Sequence, residues 1–158
     1  MITVSNTPIE KYGNIYVKRE DLACPAPGPP FSKVRGLEKK LVNLMAEGYR
    51  TIGYLDTTIS FAGWGVSYFC KHYGIQAVIF YPVYKDGLRH NLPKHLELWK
   101  ELGAMTVPIR PQMRAITWNL CRKKLREGYP NSFMMEKGFP YPEAIEENSK
   151  EVYNYFPV

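Results

Sequence analysis

The sequence places one lysine where a proline-rich loop gives way to a helix. Residues 25–30 contain four prolines and a glycine, and Lys33 follows shortly after them. Prolines at this density cannot continue a helix or a central strand, so the chain must be extended or turning there. From Ser32 onward the pattern changes to leucines at helical spacing. It predicts a helix over residues 32–47 that is capped by Ser32 and ended by Gly48.

In this reading Lys33 lies in the first turn of the helix. A cation at the positive end of a helix dipole is electrostatically disfavoured, and a lysine that gives up its proton readily can attack a carbonyl carbon. That chemistry leads to a Schiff base. A lone lysine is more often a solvated surface residue, so Lys33 alone does not define a site.

A hydroxyl-rich turn is the second candidate. Thr57, Thr58 and Ser60 follow a predicted strand at residues 50–55 and precede a predicted helix at residues 61–72. Hydroxyls and backbone N–H groups at a helix N-terminus can hold a carboxylate or a phosphate, although ordinary helix capping uses the same residues. Gly63, early in that helix, permits the close approach of a ligand or of another part of the chain.

These candidates are positioned by alternating strands and helices. The pattern predicts an α/β domain over residues 1–158, with an open parallel sheet and helices on both faces, in three layers. Ligands of such sheets bind beyond the carboxyl ends of the strands, where the hydroxyl-rich turn lies. Strands are predicted at residues 14–19, 50–55, 75–81, 105–109 and 132–135, and helices at residues 32–47, 61–72, 93–102, 112–127 and 143–155.

Composition and residue spacing limit the expected ligands, the expected location of the protein and the expected metal content. The net charge of +6 favours an anionic partner, while the basic cluster at residues 122–126 is typical of a solvated helix face, so nucleic acid is an improbable ligand. There is no signal-peptide pattern and no apolar run long enough to span a bilayer, and we expect a cytoplasmic protein without a membrane partner. Cysteines and histidines lack metal-ligand spacing, which predicts no metal site. Cys70 and Cys121 are interpreted as buried core residues. The histidines are interpreted as surface residues: His72, His90 and His95.

The order of several segments resembles a known family. Thr-Pro-Ile-Glu at residues 7–10, Ile-Tyr-Val-Lys-Arg-Glu-Asp-Leu at residues 15–22 and Phe-Ser-Lys-Val-Arg-Gly-Leu-Glu at residues 31–38 resemble the opening of the fold-type II pyridoxal-phosphate enzymes, the tryptophan synthase β family. That family includes threonine synthases, serine and threonine dehydratases, D-cysteine desulfhydrases and aminocyclopropane-carboxylate deaminases. The resemblance implies a half-length version of the tryptophan synthase β-like fold.

The resemblance also implies roles for individual residues. Lys33 matches the lysine that holds pyridoxal phosphate as a Schiff base, and Arg35 in the same motif is a second cofactor-binding candidate. Residues 57–65 match the loop that grips the substrate carboxylate. The implied catalytic residues are Lys33 and Ser60, and the implied substrate-binding residues are Thr57, Thr58, Ser60 and Gly63.

Two departures from the family pattern leave three explanations open. Phe61 and Ala62 stand where the family has an asparagine that contacts the cofactor, and the chain has no glycine cluster for a phosphate and looks like the first half of the fold. It could be a pyridoxal-phosphate-dependent lyase or deaminase acting on an amino acid, completed by a homo-oligomer or a partner subunit. It could instead be an inactive relative that serves as a binding module. Or it could be a minimal enzyme acting on an amino-acid-like group that a larger molecule carries.

Overall fold

The structure, a computed structural model, describes residues 6–57, 59–87 and 92–155. Two sheets are present in this part of the chain. The strands β1 (Ile9–Tyr12) and β2 (Ile15–Lys18) form an antiparallel hairpin. The strands β3 (Thr51–Leu55), β4 (Gln76–Pro82), β5 (Met105–Ile109) and β6 (Ser132–Met134) form a parallel sheet in the order β5-β4-β3-β6.

Helices cover both faces of the parallel sheet. They are α1 (Val34–Ala46), α2 (Ala62–Tyr73), α3 (Leu92–Glu101), α4 (Arg114–Gly128) and α5 (Pro142–Tyr155). One apolar cluster joins the sheet to α1, α2 and α3, with Leu37, Phe69 and Trp99 fully buried within it. A second cluster lies under α4 around Cys121 and Leu125. The predicted three-layer α/β architecture with an open parallel sheet is therefore confirmed.

Strand burial explains why the sheet forms where it does. All five residues of β3 are buried, and β4 is buried at five of its seven positions. Continuous apolar strands of this kind suit the centre of a parallel sheet that is covered on both faces. The carboxyl end of β3 is thereby fixed at the middle of the fold, where the hydroxyl-rich turn leaves it.

Several local predictions were wrong in detail. Ser32 does not cap α1, because Lys33 occupies the N-cap position with helical backbone angles and α1 begins at Val34. Residues 105–109 form β5 although they include Pro108, because β5 is an edge strand and tolerates a residue without an N–H. The helix predicted over residues 112–127 is α4, which begins at Arg114 and ends at Gly128. Residues 9–12, for which no strand was predicted, pair with β2.

The predictions for cysteines and histidines have mixed outcomes. Cys70 and Cys121 are free and buried, as predicted. His72 is exposed, whereas His95 is half-buried, with its ring centroid 5.9 Å from that of Trp99, and the prediction of a surface residue was wrong there. His90 lies outside the described residues. None of the helices in residues 6–57, 59–87 and 92–155 has the length and apolar composition to cross a bilayer.

Candidate functional site

The site is built where β3 and β6 end side by side. These strands pair in parallel, with Gly53 opposite Met134, so the segments that follow them leave the sheet at the same edge. After β3 comes the hydroxyl-rich turn at residues 56–60, and after β6 comes a short segment at residues 135–140. The backbone N–H of Met135 still donates to the carbonyl of Gly53 at 2.8 Å, which keeps the two segments adjacent.

Lys33 reaches this edge from the start of α1. Its side chain is exposed, and its Nζ donates a hydrogen bond to the carbonyl oxygen of Gly138 at 3.0 Å. Gly138 has a φ of 80°, a left-handed backbone that favours glycine. Lys33 therefore presents an accessible amine at the carboxyl edge of the sheet, and a backbone carbonyl holds that amine.

Tyr54 also interacts with the backbone of Gly138, and Ser60 interacts with Tyr54. Tyr54 is buried, and its ring centroid lies 5.3 Å from that of Phe139. Burial raises the pKa of Tyr54, the charge of Asp56 adds to that, and interactions with the backbone of Gly138 and the hydroxyl of Ser60 oppose it. The structure thus links Lys33 to Tyr54 through Gly138, a residue that sequence reasoning did not single out, and Tyr54 in turn interacts with Ser60.

Asp56 is the buried carboxyl of the site. It follows β3 directly and is almost completely buried, with Oδ1 accepting from the N–H of Thr57 and Oδ2 accepting from the N–H of Gly63. Burial raises the pKa of Asp56 to about 7, against the stabilising effect of these N–H donors and of Ser60. A carboxyl group placed between ionised and neutral near physiological pH is a mark of functional sites.

Asp56 was missed as a site residue because its environment is made by distant parts of the chain. In the sequence it is simply an aspartate after a strand, which is ordinary turn chemistry. The one available signal was its position at the end of a central strand that leads into a helix. The fold adds burial under α2 and the electrostatic influence of Lys137, which follows β6.

Gly63 contacts Asp56 rather than open space. A Cβ on Gly63 would lie 2.1 Å from Oδ2 of Asp56 and 3.0 Å from the indole of Trp99, so a side chain does not fit. The close approach inferred from the sequence therefore exists, and an internal carboxyl and an indole occupy it. Binding of a substrate by Gly63 stays a prediction.

The remaining predicted site residues differ in placement. Ser60 accepts a hydrogen bond from the N–H of Ala62 at 3.0 Å, which fixes the start of α2. Thr57 is exposed, and Thr58 lies outside the described residues. Arg35 is buried and forms ion pairs with Glu20 at 3.3 Å and Glu151 at 3.4 Å. Its role as a cofactor ligand stays a prediction.

A surface groove of about 800 Å³ opens beside Lys33. One wall is the segment after β6, with Phe139, Pro140 and Tyr141. The other wall is α5, from which Ile145 and Tyr153 project. The volume is in the range of small-molecule sites, roughly 300–1,000 Å³. The amine-bearing side chain of Lys33 is therefore part of the lining of an apolar groove.

A curated relative matches almost the whole chain. The glycyl-dTMP PLP-dependent decarboxylase of Pseudomonas phage M6 is 41% identical over 159 residues, which cover 98% of this chain and 56% of the relative. The chain thus spans little more than half the length of that protein. No protein-family model matches the sequence.

Solved structures match the fold over about half of their own length. A crystal structure of an ACC deaminase homologue superimposes with a TM-score of 0.75 at 19% identity, covering 100% of this chain and 51% of that one. A hydrogen sulfide-producing enzyme from Fusobacterium nucleatum gives a TM-score of 0.70 at 20% identity, covering 96% of this chain and 50% of that one. The crystal structure of O-ureido-L-serine synthase gives a TM-score of 0.72 at 18% identity, covering 98% of this chain and 49% of that one.

The fold is that of the N-terminal half of the fold-type II pyridoxal-phosphate enzymes, and the resemblance predicted from the sequence is confirmed. The relative that matches the chain at 41% identity is a phage decarboxylase named as PLP-dependent. PLP is pyridoxal phosphate, the cofactor that the resemblance implies.

Proposed function

We propose that this chain is the lysine-bearing half of a pyridoxal-phosphate-dependent lyase that acts on an amino-acid group. The observation that carries the proposal is the accessible amine of Lys33 on the carbonyl of Gly138, which also interacts with Tyr54, itself next to Asp56 and the half-buried Ser60. The 41% identity to a decarboxylase favours loss of the carboxyl group as the reaction at the α-carbon.

The residues present fit one end of the cofactor. The amine of Lys33 is exposed, and even a Cβ on Gly138 would meet it only at 3.8 Å, an ordinary van der Waals contact, so Gly138 does not crowd the amine. For the phosphate and the ring nitrogen this chain offers no glycine-rich loop. We infer that those groups are held by another polypeptide.

When bound, pyridoxal phosphate supplies an electron-accepting ring at the amine nitrogen of the substrate. Lys33 would hold the cofactor through its ε-amine and would move a proton at the α-carbon of the substrate. Thr57 and Ser60 bind the substrate carboxylate at the start of α2. Asp56 fixes the backbone of this turn by accepting from Thr57 and Gly63, and it positions these donors without touching the substrate.

Completion of the site by a second polypeptide rests on surfaces that this chain leaves uncovered. Ile145, Val152 and Tyr153 form a stripe along α5 beside Lys33 and are 73%, 55% and 63% exposed. The hairpin exposes Ile15 and Tyr16, and two-stranded hairpins are marginal when unsupported. Uncovered apolar surface of this kind marks interaction sites. The occupant we propose is a chain equivalent to the part of the decarboxylase that lies outside the match.

The substrate we propose is an amino-acid group carried on a nucleotide. The relative is named for such a compound, glycyl-dTMP, and the net charge of +6 favours an anionic ligand. This proposal combines two explanations left open by the sequence: an enzyme completed by a second polypeptide, and an enzyme that acts on an amino-acid-like group carried by a larger molecule.

One observation favours the alternative that this chain is an inactive binding module. Phe61 and Ala62 replace the asparagine of the family, and Phe61 is packed against Trp64 with ring centroids 5.9 Å apart. A chain that kept the scaffold and lost the chemistry would bind its partner without reacting at Lys33.

The test is selective labelling of the amine. The purified chain is incubated with pyridoxal phosphate, reduced with borohydride to fix the cofactor covalently, and digested for mass spectrometry. We expect Lys33 to be labelled at least about tenfold faster than the exposed Lys100, which corresponds to about 1.4 kcal/mol in barrier height. Lys33→Ala should remove the fast-labelled site, and Lys100→Ala should leave it. Equal labelling of both lysines would overturn the proposal in favour of a binding module.

A further inference from the structure

A second cavity, of about 570 Å³, lies on the opposite side of the segment that follows β6. It forms where α4 begins, and its lining includes Arg114, Trp118, Asn119 and Lys137. Pro140 lines both this cavity and the groove beside Lys33. The two spaces are therefore neighbours across residues 136–140, the segment whose Gly138 carbonyl holds the amine of Lys33.

The cavity is lined by two cations, Arg114 and Lys137, and by the exposed carboxylate of Glu136. Among the described residues, no carboxylate oxygen lies within the 4.0 Å of an ion pair from Arg114 or Lys137, whereas the half-buried Lys18 pairs with Glu151 and the half-buried Lys40 pairs with Glu143. Lys137 is itself half-buried, and burial together with the charge of Arg114 lowers its pKa. Two cations that repel each other across a cavity are stabilised by an anion between them.

The cavity also offers an aromatic ring and an amide. Trp118 is half-buried, and its Nε1 donates to the carbonyl of Met135 at 3.3 Å, which fixes the indole in the wall. Asn119 is exposed, and its side-chain amide makes no hydrogen bond to the part of the chain that the structure describes. The guanidinium of Arg122 lies over the Trp118 ring, 5.5 Å from its centroid, so a nucleobase would stack on the opposite face of the indole. A side-chain amide matches the alternating acceptors and donor on the edge of a pyrimidine.

We propose that this cavity binds the nucleotide part of the substrate, a pyrimidine nucleoside monophosphate, while the amino-acid group reaches across residues 136–140 to Lys33. Arg114 and Lys137 bind the phosphate, Trp118 stacks on the base, and Asn119 pairs with its edge. The inference rests on the proposed function for the identity of the substrate. The cavity itself is defined by its own residues.

The test uses dTMP, which has a nucleotide but no amino-acid arm. Binding to the purified chain is measured by isothermal titration calorimetry at low salt, without pyridoxal phosphate. We expect saturable binding that Arg114→Gln and Lys137→Gln each weaken by about tenfold, because each removes one phosphate contact. Trp118→Leu should weaken it by a similar factor. Lys124→Gln on the same helix makes the same charge change outside the cavity and should leave binding unchanged.

Two smaller compounds separate the parts of the nucleotide. Inorganic phosphate and thymidine should each bind at least about tenfold more weakly than dTMP, since each fills only part of the cavity. Phosphate binding as tight as that of dTMP would reduce the cavity to an anion site and overturn the proposal. Absence of dTMP binding, or equal loss in Lys124→Gln and Lys137→Gln, would overturn it as well.

The outcomes are distinguishable from those of the labelling experiment at Lys33. Labelling of Lys33 without dTMP binding would overturn the nucleotide cavity and leave the proposed chemistry standing. Binding of dTMP that responds to Arg114→Gln, with no preferential labelling of Lys33, would support the cavity and overturn the chemistry. Circular dichroism of each variant confirms that a loss of binding reflects the cavity and not the fold.

Discussion

At the scale of single residues, Asp56 positions the backbone of the hydroxyl-rich turn through two hydrogen bonds. Its two oxygens accept the backbone N–H groups of Thr57 and Gly63, so it shapes the hydroxyl-rich turn and its junction with α2. Its burial makes the ionised form costly, and the N–H donors only partly compensate. The site thus contains a structural carboxyl whose charge depends on pH.

This predicts a pH-dependent stability that Asp56→Asn removes. The pKa of Asp56 is raised from 3.8 to about 7, so the folded state binds the proton more tightly than the unfolded chain does. The stabilising contribution is complete below about pH 4 and is lost as the pH rises towards about 7, at roughly 1.4 kcal/mol per unit of pKa. Urea unfolding across this range measures it. The free energy of wild type minus that of Asp56→Asn should fall with rising pH.

The opposite trend, or a difference independent of pH, would mean that the N–H donors dominate and that Asp56 is ionised throughout. Asparagine retains the shape and one acceptor oxygen, so any constant loss from the missing second acceptor does not affect the slope. The slope alone therefore reports the titration of Asp56.

The sequence predicts those parts of the site that depend on neighbouring residues in the chain, and it does not predict those that depend on residues far apart in the chain. Lys33 was found because its flanking prolines and leucines are a local pattern, and the parallel sheet because the apolar strands and helix-ending glycines are local as well. Asp56, Gly138 and Lys137 acquire their roles only when β3 and β6 lie side by side. Such pairing joins residues far apart in the chain, and no periodicity encodes it.

At the scale of elements, the crossing of α1 and α5 positions the groove beside Lys33. Gly36 lies in α1 directly against Ala144 of α5, and a Cβ on Gly36 would lie 2.1 Å from the Cα of Ala144. Buried Arg35 and Glu151 pair across the same two helices at 3.4 Å. The glycine and the ion pair together fix α5 next to the helix that carries Lys33.

Gly36→Ala should therefore separate the two helices and destabilise the fold. The backbone of α5 cannot yield locally, and overpacking of this kind costs about 1–3 kcal/mol. Urea unfolding measures the loss. Gly128→Ala on α4 is the matched control, because nothing lies within 4 Å of its added Cβ and alanine is the better helix former. Equal stability of the two variants would contradict the close crossing.

At the scale of the whole molecule, the chain exposes apolar side chains on α5 and on the hairpin, and it spans about half the length of its relatives. It covers 56% of the phage decarboxylase and 51% of the ACC deaminase homologue, and nearly all of itself is used in both matches. The exposed stripe on α5 borders the groove that ends at Lys33. The hairpin is tied to the end of α5 through the ion pair between Lys18 and Glu151, so the two uncovered surfaces are neighbours.

A separately produced polypeptide with the unmatched part of the phage decarboxylase should therefore bind this chain. Sedimentation velocity should show a one-to-one complex, because the partner covers the apolar stripe that water otherwise contacts. Ile145→Asp, which places a charge in the stripe, should weaken the complex by at least about tenfold, or 1.4 kcal/mol. Ile116→Asp on α4 is the control, since Ile116 is 48% exposed and does not line the groove.

The identity of the species formed decides between the possible occupants of this surface. If the chain instead forms a homodimer that Ile145→Asp dissociates, a second copy covers the stripe and the proposed partner is wrong. If both isoleucine variants bind the added polypeptide as wild type does, the stripe is not the interface. A complex that Ile145→Asp alone weakens would place the added polypeptide on α5 beside Lys33, as the proposed function requires.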